Sequence, residues 1–267
     1  MKTSRITDAD LESIKDLQPE GWADILISIK TYLAFDFCYP LKVEIDNRIA
    51  GIGTAIAFEN TGWLAHIIVH RDYRNRGIGF KIVAELLNHL ERKDIATVLL
   101  IATDLGEPVY KKSGFTSITD YVFFNREQPW GEARVSSQVV PFQHHHYDAL
   151  IELDQRITGE KREPIIQKHL DDALLYCDED GLTGFYLPHL GEGFIGALHA
   201  VAGVELMKAK YSKIDRAVVP AENLIAIDFL KQNGFVESET RGKRMLRGEP
   251  IPWMPQCIFS RIGGNFG

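Results

Sequence analysis

Apolar positions change period several times along the chain, and each change marks an element. From Ile78 to Leu90 they fall at Ile78, Ile82, Leu86 and Leu90, with Val83 and Leu87 alongside. That i, i+4 stripe predicts a helix with one face on a core. "KVEI", "IAGIGTAIAF" and "WLAHIIV" are instead short β-rich runs, separated by "DNR" and "ENTG". Turn chemistry between such runs predicts an antiparallel meander of three strands. "ATVLLIAT" is apolar throughout, as in a strand covered on both faces.

Two helices are expected before the meander. "TDADLESIKDL" offers Thr7 or Asp8 as an N-cap with acids in the first turn, and "WADILISIKTYLAFDF" reads as a helix ended by Pro40. After "ATVLLIAT", "EPVYKKSG" predicts a short helix closed by Gly114, and "FTSITDYVFF" supplies further strand.

"NREQPWGEAR" reads as a linker, and beyond it the pattern echoes itself. "FLKQNGF" (229–235) repeats the spacing of "VYKKSGF" (109–115), an offset of 120 taken from Gly114 to Gly234. Under that shift "ALHAVAGVELMKAK" falls on the Ile78–Leu90 helix, and "IDRAVVP" falls near "IATVLLI". The expected architecture is α+β with mixed sheets: two tandem domains of related pattern, residues 1–128 and 134–267.

Composition narrows this picture slightly. With 37 acidic and 30 basic residues the 267-residue chain carries a net charge of −7, which argues against broad nucleic-acid binding. Its apolar runs are short of membrane-spanning length, and its start lacks the apolar core of a signal peptide. Cys38, Cys177 and Cys257 are far apart, as in a reduced, cytoplasmic protein.

Against that acidic background, "HRDYRNRGIGFK" (70–81) gathers Arg71, Arg74, Arg76 and Lys81 beside Gly77 and Gly79. A strand, a glycine-bearing turn and a helix in that order present free backbone N–H groups and the positive end of a helix dipole. Glycines let a phosphate approach without a Cβ in the way. A dinucleotide-binding fold would need GxGxxG, but Ile82 stands at the third glycine's place. No GK[ST] follows, as a P-loop would need.

Arg74-Asn75-Arg76-Gly77-Ile78-Gly79 resembles the R/Q-x-x-G-x-G/A signature of the GNAT superfamily of acyl-CoA N-acyltransferases. "VYKKSGF" is similar to that family's Y-x-x-x-G-F ending. The resemblance covers about residues 1–125. The second half looks like the divergent acetyltransferase-like domain of tandem members, through "LDQRITGEKREPII", "VPAENLIAIDFLKQNGF" and "RGKRMLRG".

The resemblance implies acetyl-CoA as cosubstrate, with no metal, and a primary amine as acceptor. It implies pairing of the pantetheine with backbone at Ile68, Val69 and His70, and a polarising N–H near Val69. The pyrophosphate would lie on the backbone of Arg74, Asn75, Arg76, Gly77, Ile78, Gly79 and Phe80. Arg71, Arg76 or Lys81 would reach the 3′-phosphate, and Tyr110 would be the acid that protonates the leaving thiolate. His66, Glu44 and Glu59 are open as bases, although the alternation of His66 with Leu64 and Ile68 favours a satisfied core histidine.

In the second half the 120-residue shift sets Leu230 at the place of Tyr110, Phe194 at Arg74, Ala197 at Gly77 and His199 at Gly79. One acyl-CoA site per chain is therefore expected. Asn223 and Arg244 remain as polar candidates, against readings as a helix-start hydrogen bond and a solvated turn. "QHHHYD" (143–148) reads as exposed histidines and not as a metal site. A non-catalytic acyl-CoA sensor and a protein binding another anion are the rival functions. The acceptor's identity and a homodimer stay open.

Overall fold

The computed structural model describes residues 1–127, 131 and 133–267, so part of the expected linker lies outside the described residues. The chain forms two compact units. The first holds residues 1–116, 245–249 and 264–266, and the second holds 117–244, 250–263 and 267.

The first unit opens with a strand that the sequence pattern did not suggest, β1 (Lys2–Arg5). It pairs antiparallel with β2 (Cys38–Ile45) through Lys2–Glu44 and Arg5–Leu41. Between them lie α1 (Leu11–Ile14), flanked by 3-10 turns, and α2 (Ile25–Ala34). Asp24 caps α2, its Oδ1 accepting from Leu26 N at 2.9 Å. The helix ends well before Pro40. The aromatic segment "FDFCYP" turns extended at Phe35, and Pro40 sits inside β2, its carbonyl accepting from Ile6 N at 2.9 Å.

β3 (Arg48–Ala57) and β4 (Gly62–Val69) complete the predicted meander. Asp46 and Asn47 have φ of +50° and +60°, as a two-residue type I′ hairpin requires. α3 (Ile78–Glu91) buries Ile78, Ile82, Val83, Leu86, Leu87 and Leu90, the stripe read from the sequence. It lies across the sheet, where Gly53 leaves room for Ile82 and Leu86. β5 (Val98–Ala102) then pairs parallel to β4, and α4 (Glu107–Lys112) closes at Gly114 with φ +86°. Strand order is β1-β2-β3-β4-β5.

The second unit contains β6 (Thr116–Asn125), β7 (Val139–Pro141), α5 (Tyr147–Thr158), α6 (Glu163–Ile166), β8 (Leu174–Asp178), β9 (Gly181–Leu187) and β10 (Phe194–Ala197). α7 (Ala200–Tyr211), β11 (Arg216–Pro220), α8 (Leu224–Gln232), β12 (Val236–Arg247) and β13 (Ile258–Ser260) follow. The first residue of β6 and the last three of β12 belong to the first unit. β13-β10-β9-β8-β7 form an antiparallel sheet, and β6 pairs with β11. α7 and α8 fall where the 120-residue shift from α3 and α4 puts them, and Gly234 repeats the positive φ of Gly114 at +79°. The mixed α+β class agrees with the pattern of the sequence.

The second unit buries two arginines against carboxylates. Arg162 grips Asp154 through Nε at 2.9 Å and Nη2 at 2.7 Å, both side chains being 2% exposed. Arg244, a polar candidate whose other reading is a solvated turn, is buried in β12. It faces Glu160 and Tyr121 at 3.4 Å and stacks on Trp253.

Candidate functional site

The parallel strands β4 and β5 pair only at Gly62–Val98 and Trp63–Leu99, with Gly62 N donating to Thr97 O at 2.9 Å. Beyond Trp63, β4 continues against β3 alone. A gap therefore opens between two strands that start as neighbours, and Val69 lies about 20 Å along β4 from the last pair. The N–H of His70 donates to Ala50 O on β3 at 2.9 Å. Antiparallel pairing alternates, so the preceding N–H and C=O, those of Val69, face the opposite edge, toward the gap. Arg74 Nε takes up the Val69 carbonyl at 3.3 Å.

The turn after β4 is a 3-10 segment, Arg71–Tyr73, in which His70 Nδ1 accepts from Asp72 N. Asn75 and Gly77 then take φ of +61° and +76°, and α3 starts at Ile78 with no side-chain cap. Among the described residues, none of the six backbone N–H groups from Asn75 to Phe80 donates to a protein acceptor; the first to do so is Lys81, bonded to Gly77 O at 3.0 Å. An unsatisfied row at the positive end of a fourteen-residue helix is an anion cradle. Gly79 keeps it open, since a Cβ there would meet only Val69 Cγ2, at 3.6 Å.

The side chains around this row are mostly free to move. Arg71, Arg74 and Arg76 are exposed, and Arg76 rests over the Tyr73 ring at 5.4 Å. Phe80 is half exposed. Ile78 is buried in the core, so only its backbone faces the cradle. The nearest acid, Asp72, stands 3.8 Å from Arg71.

Tyr110 is 8% exposed, in the first unit's core, edge-on to Phe115. Burial pushes its hydroxyl up to about 12, so it keeps its proton throughout the physiological range. Among the described residues its hydroxyl makes no hydrogen bond.

His66 departs from the simple alternation read in the sequence. Ile52 pairs with Ile68 and Thr54 with Ala65, so Gly53 alone opposes both His66 and Ile67. This β-bulge holds His66 at φ +48°. Its Nδ1 lies 2.8 Å from the Tyr32 hydroxyl, which accepts from Asn265 Nδ2 at 3.1 Å. Burial drives the imidazole down to about 4. His66 is thus a satisfied, neutral histidine as expected, but in a strained backbone that no period-2 pattern signals. Glu44 contacts Lys42 at 3.3 Å, in a half-buried cluster with Asp10.

The corresponding place in the second unit is filled. β13 pairs with β10 through Ile195–Ser260 and Gly196–Ile258, and Arg261 N donates to Val218 O on β11 at 3.2 Å. A strand thus occupies the interval between β10 and β11, the counterparts of β4 and β5. α7 is capped by His199, whose Nδ1 accepts from Ala202 N, where α3 has a bare glycine start. Phe194, Ala197 and Leu230, at the shifted places of Arg74, Gly77 and Tyr110, are core residues. Asn223 caps α8, Oδ1 accepting from Ala226 N, and its Nδ2 donates to Ile258 O. His144 and His145 are exposed in a 3-10 turn before α5.

Among the described residues no three His, Cys, Asp or Glu side chains converge as metal ligands, and no helix is long and apolar enough to cross a membrane.

Residues 33–126 match the family model of the acetyltransferase (GNAT) domain. The crystal structure of a proposed acetyltransferase from Pyrococcus horikoshii is similar over all of this chain and 95% of its own, at 22% identity and a TM-score of 0.81. A GCN5-related N-acetyltransferase from Sphaerobacter thermophilus is similar over 95% of this chain and 98% of its own, at 15% identity and a TM-score of 0.66. One from Anabaena variabilis covers 92% of this chain and 72% of its own, at 14% identity and a TM-score of 0.59. No curated protein sequence matches the chain. At these identities the likeness is one of fold.

Proposed function

Taking as premise that residues 33–126 form a GNAT acetyltransferase domain, we propose that the protein transfers an acetyl group from acetyl-CoA to a primary amine at one site per chain. The observation that carries this reading is the row of six unbonded N–H groups from Asn75 to Phe80, set beside the gap between β4 and β5. A pyrophosphate supplies the charge that row lacks. A slender pantetheine arm suits a gap between strands, where the Val69 N–H is turned toward it, whereas the N–H groups of Ile68 and His70 face β3. The cations Arg71, Arg76 and Lys81 suit a further phosphate, while Arg74 supports the Val69 carbonyl.

The acceptor amine attacks the thioester carbonyl directly, both substrates being held together. Val69 N–H donates to the oxyanion as it forms. Tyr110, protonated and without a partner among the described residues, gives its proton to the departing sulfur. Water removes the proton from the amine, because His66 is too weak a base at about 4. The second unit, its interval filled by β13, contributes no second cofactor site.

Thermal-shift titration with acetyl-CoA, CoA, NAD and ATP, followed by thiol release on an amine panel, tests this reading. Stabilisation by CoA and acetyl-CoA with thiol release is expected. CoA binding without turnover on any amine would favour an acyl-CoA sensor, and no CoA-specific stabilisation would exclude both.

A further inference from the structure

Gly62 and His70 both lie on or at the end of β4, eight residues apart. Uninterrupted alternation would send their N–H groups to the same edge. Instead Gly62 N donates toward β5, to Thr97 O, and His70 N donates toward β3, to Ala50 O. The strand has changed phase by one residue between them, and the bulge at His66 and Ile67 is where it does so. Without that extra residue Val69 would face β3 and the gap would lose its donor.

The bulge rests on His66 in a left-handed backbone, which costs a non-glycine residue free energy unless its surroundings fix it. What fixes it is a chain of side chains. Asn265 Nδ2 donates to the Tyr32 hydroxyl, which Ser28 also meets, and the arrangement suits donation of the hydroxyl proton to His66 Nδ1, 2.8 Å away. Tyr32 is fully buried, and burial holds its proton in place. Phe266 packs edge-on against Tyr32 and tilted against Phe58, anchoring the segment that bears Asn265. Trp22 closes the outer side of the His66 ring at 6.1 Å.

We propose that Asn265, through Tyr32 and His66, is a positioning residue that sets the phase of β4 and so aims the Val69 N–H into the gap. The residue lies about two hundred positions from the strand it controls, in a segment that folds into the first unit. This rests on the acyl-CoA reading, because the aimed N–H matters only if a thioester carbonyl meets it.

Two readouts separate the parts. Ring ¹⁵N spectra of wild type between pH 5 and 8 should show His66 with Nδ1 unprotonated and Nε2 protonated; Tyr32→Phe and Asn265→Ala should each disturb that pattern. Calorimetry with CoA and acetyl-CoA then reads the donor itself. Wild type should prefer acetyl-CoA by about two- to tenfold, the range of one hydrogen bond. In Asn265→Ala and Tyr32→Phe the preference should fall toward one while CoA affinity holds. His66→Gly adopts the bulge freely, so it should keep the preference, and adding Asn265→Ala to it should change nothing further. An unchanged preference in both single variants, or a His66 ring indifferent to them, would overturn the proposal. Failure of wild type to bind CoA at all would overturn the acyl-CoA reading and the purpose assigned to Val69, with the ring spectra still deciding whether the relay exists.

Discussion

The Tyr110 ring lies so close to Gly106 that a Cβ there would stand 2.9 Å from Cε2 and 3.4 Å from the hydroxyl oxygen. Gly106 has an ordinary helical backbone, φ −84°, so its lack of a side chain serves the ring and not the chain. Gly106→Ala should therefore displace the hydroxyl without distorting the loop. Thiol release should fall at least tenfold with CoA affinity within about twofold of wild type. Equal turnover in wild type and Gly106→Ala would dissociate the ring's position from the chemistry.

Tyr110→Phe removes a hydroxyl that has no partner among the described residues. Its stability should stay within about 0.5 kcal/mol of wild type by urea unfolding, since no hydrogen bond is lost. Turnover should drop by about 10²-fold or more. Full turnover in Tyr110→Phe would remove the residue from the acid role.

The two glycines of the turn should behave differently. Gly77 has φ +76°, so Gly77→Ala strains the backbone by about 1 kcal/mol even though nothing lies within 4 Å of the added methyl. Gly79→Ala meets only an ordinary contact with Val69 and should melt like wild type. Both should weaken CoA binding, Gly79→Ala purely by crowding the cradle. Retained CoA affinity in Gly79→Ala would argue against a pyrophosphate at that helix start.

Burial holds His66 at about 4 in the folded protein, against about 6.5 for an unfolded chain. Between those values the unfolded state binds the extra proton. Stability therefore rises with pH through the window and is lost as pH falls toward 4, by at most about 3 kcal/mol. The wild-type curve minus that of His66→Gln should show this slope. A flat difference between pH 4 and 6.5 would mean that His66 titrates normally.

In the second unit, Asp154→Ala removes both of the carboxylate's bonds to the fully buried Arg162 guanidinium. A loss of about 3–5 kcal/mol is expected in chemical unfolding. A change below 1 kcal/mol would show that Arg162 finds another partner.

Where side-chain period and local turn chemistry decide the structure, the sequence was readable. The α3 stripe, the Asp46-Asn47 hairpin, the helix end at Gly114 and the glycine-arginine turn all act within a few residues. Features set by distant partners were not. Leu64, His66 and Ile68 alternate without a break on paper, and only Gly53 across the sheet reveals the extra residue. β1 is four residues long and polar, and gains its place from β2. β13 carries no mark that it lies beside β10, and Arg244 reads as a surface cation until Glu160 and Trp253 are seen around it. Pro40 reads as a helix end because proline ends helices, yet it also fits a strand where its neighbour needs no N–H from it.

Titration calorimetry of wild type with acetyl-CoA tests the central claim most directly. The account predicts saturable binding at one site per chain, abolished or weakened at least tenfold by Arg74→Glu. No binding heat, a stoichiometry of two per chain, or affinity untouched by Arg74→Glu would contradict it.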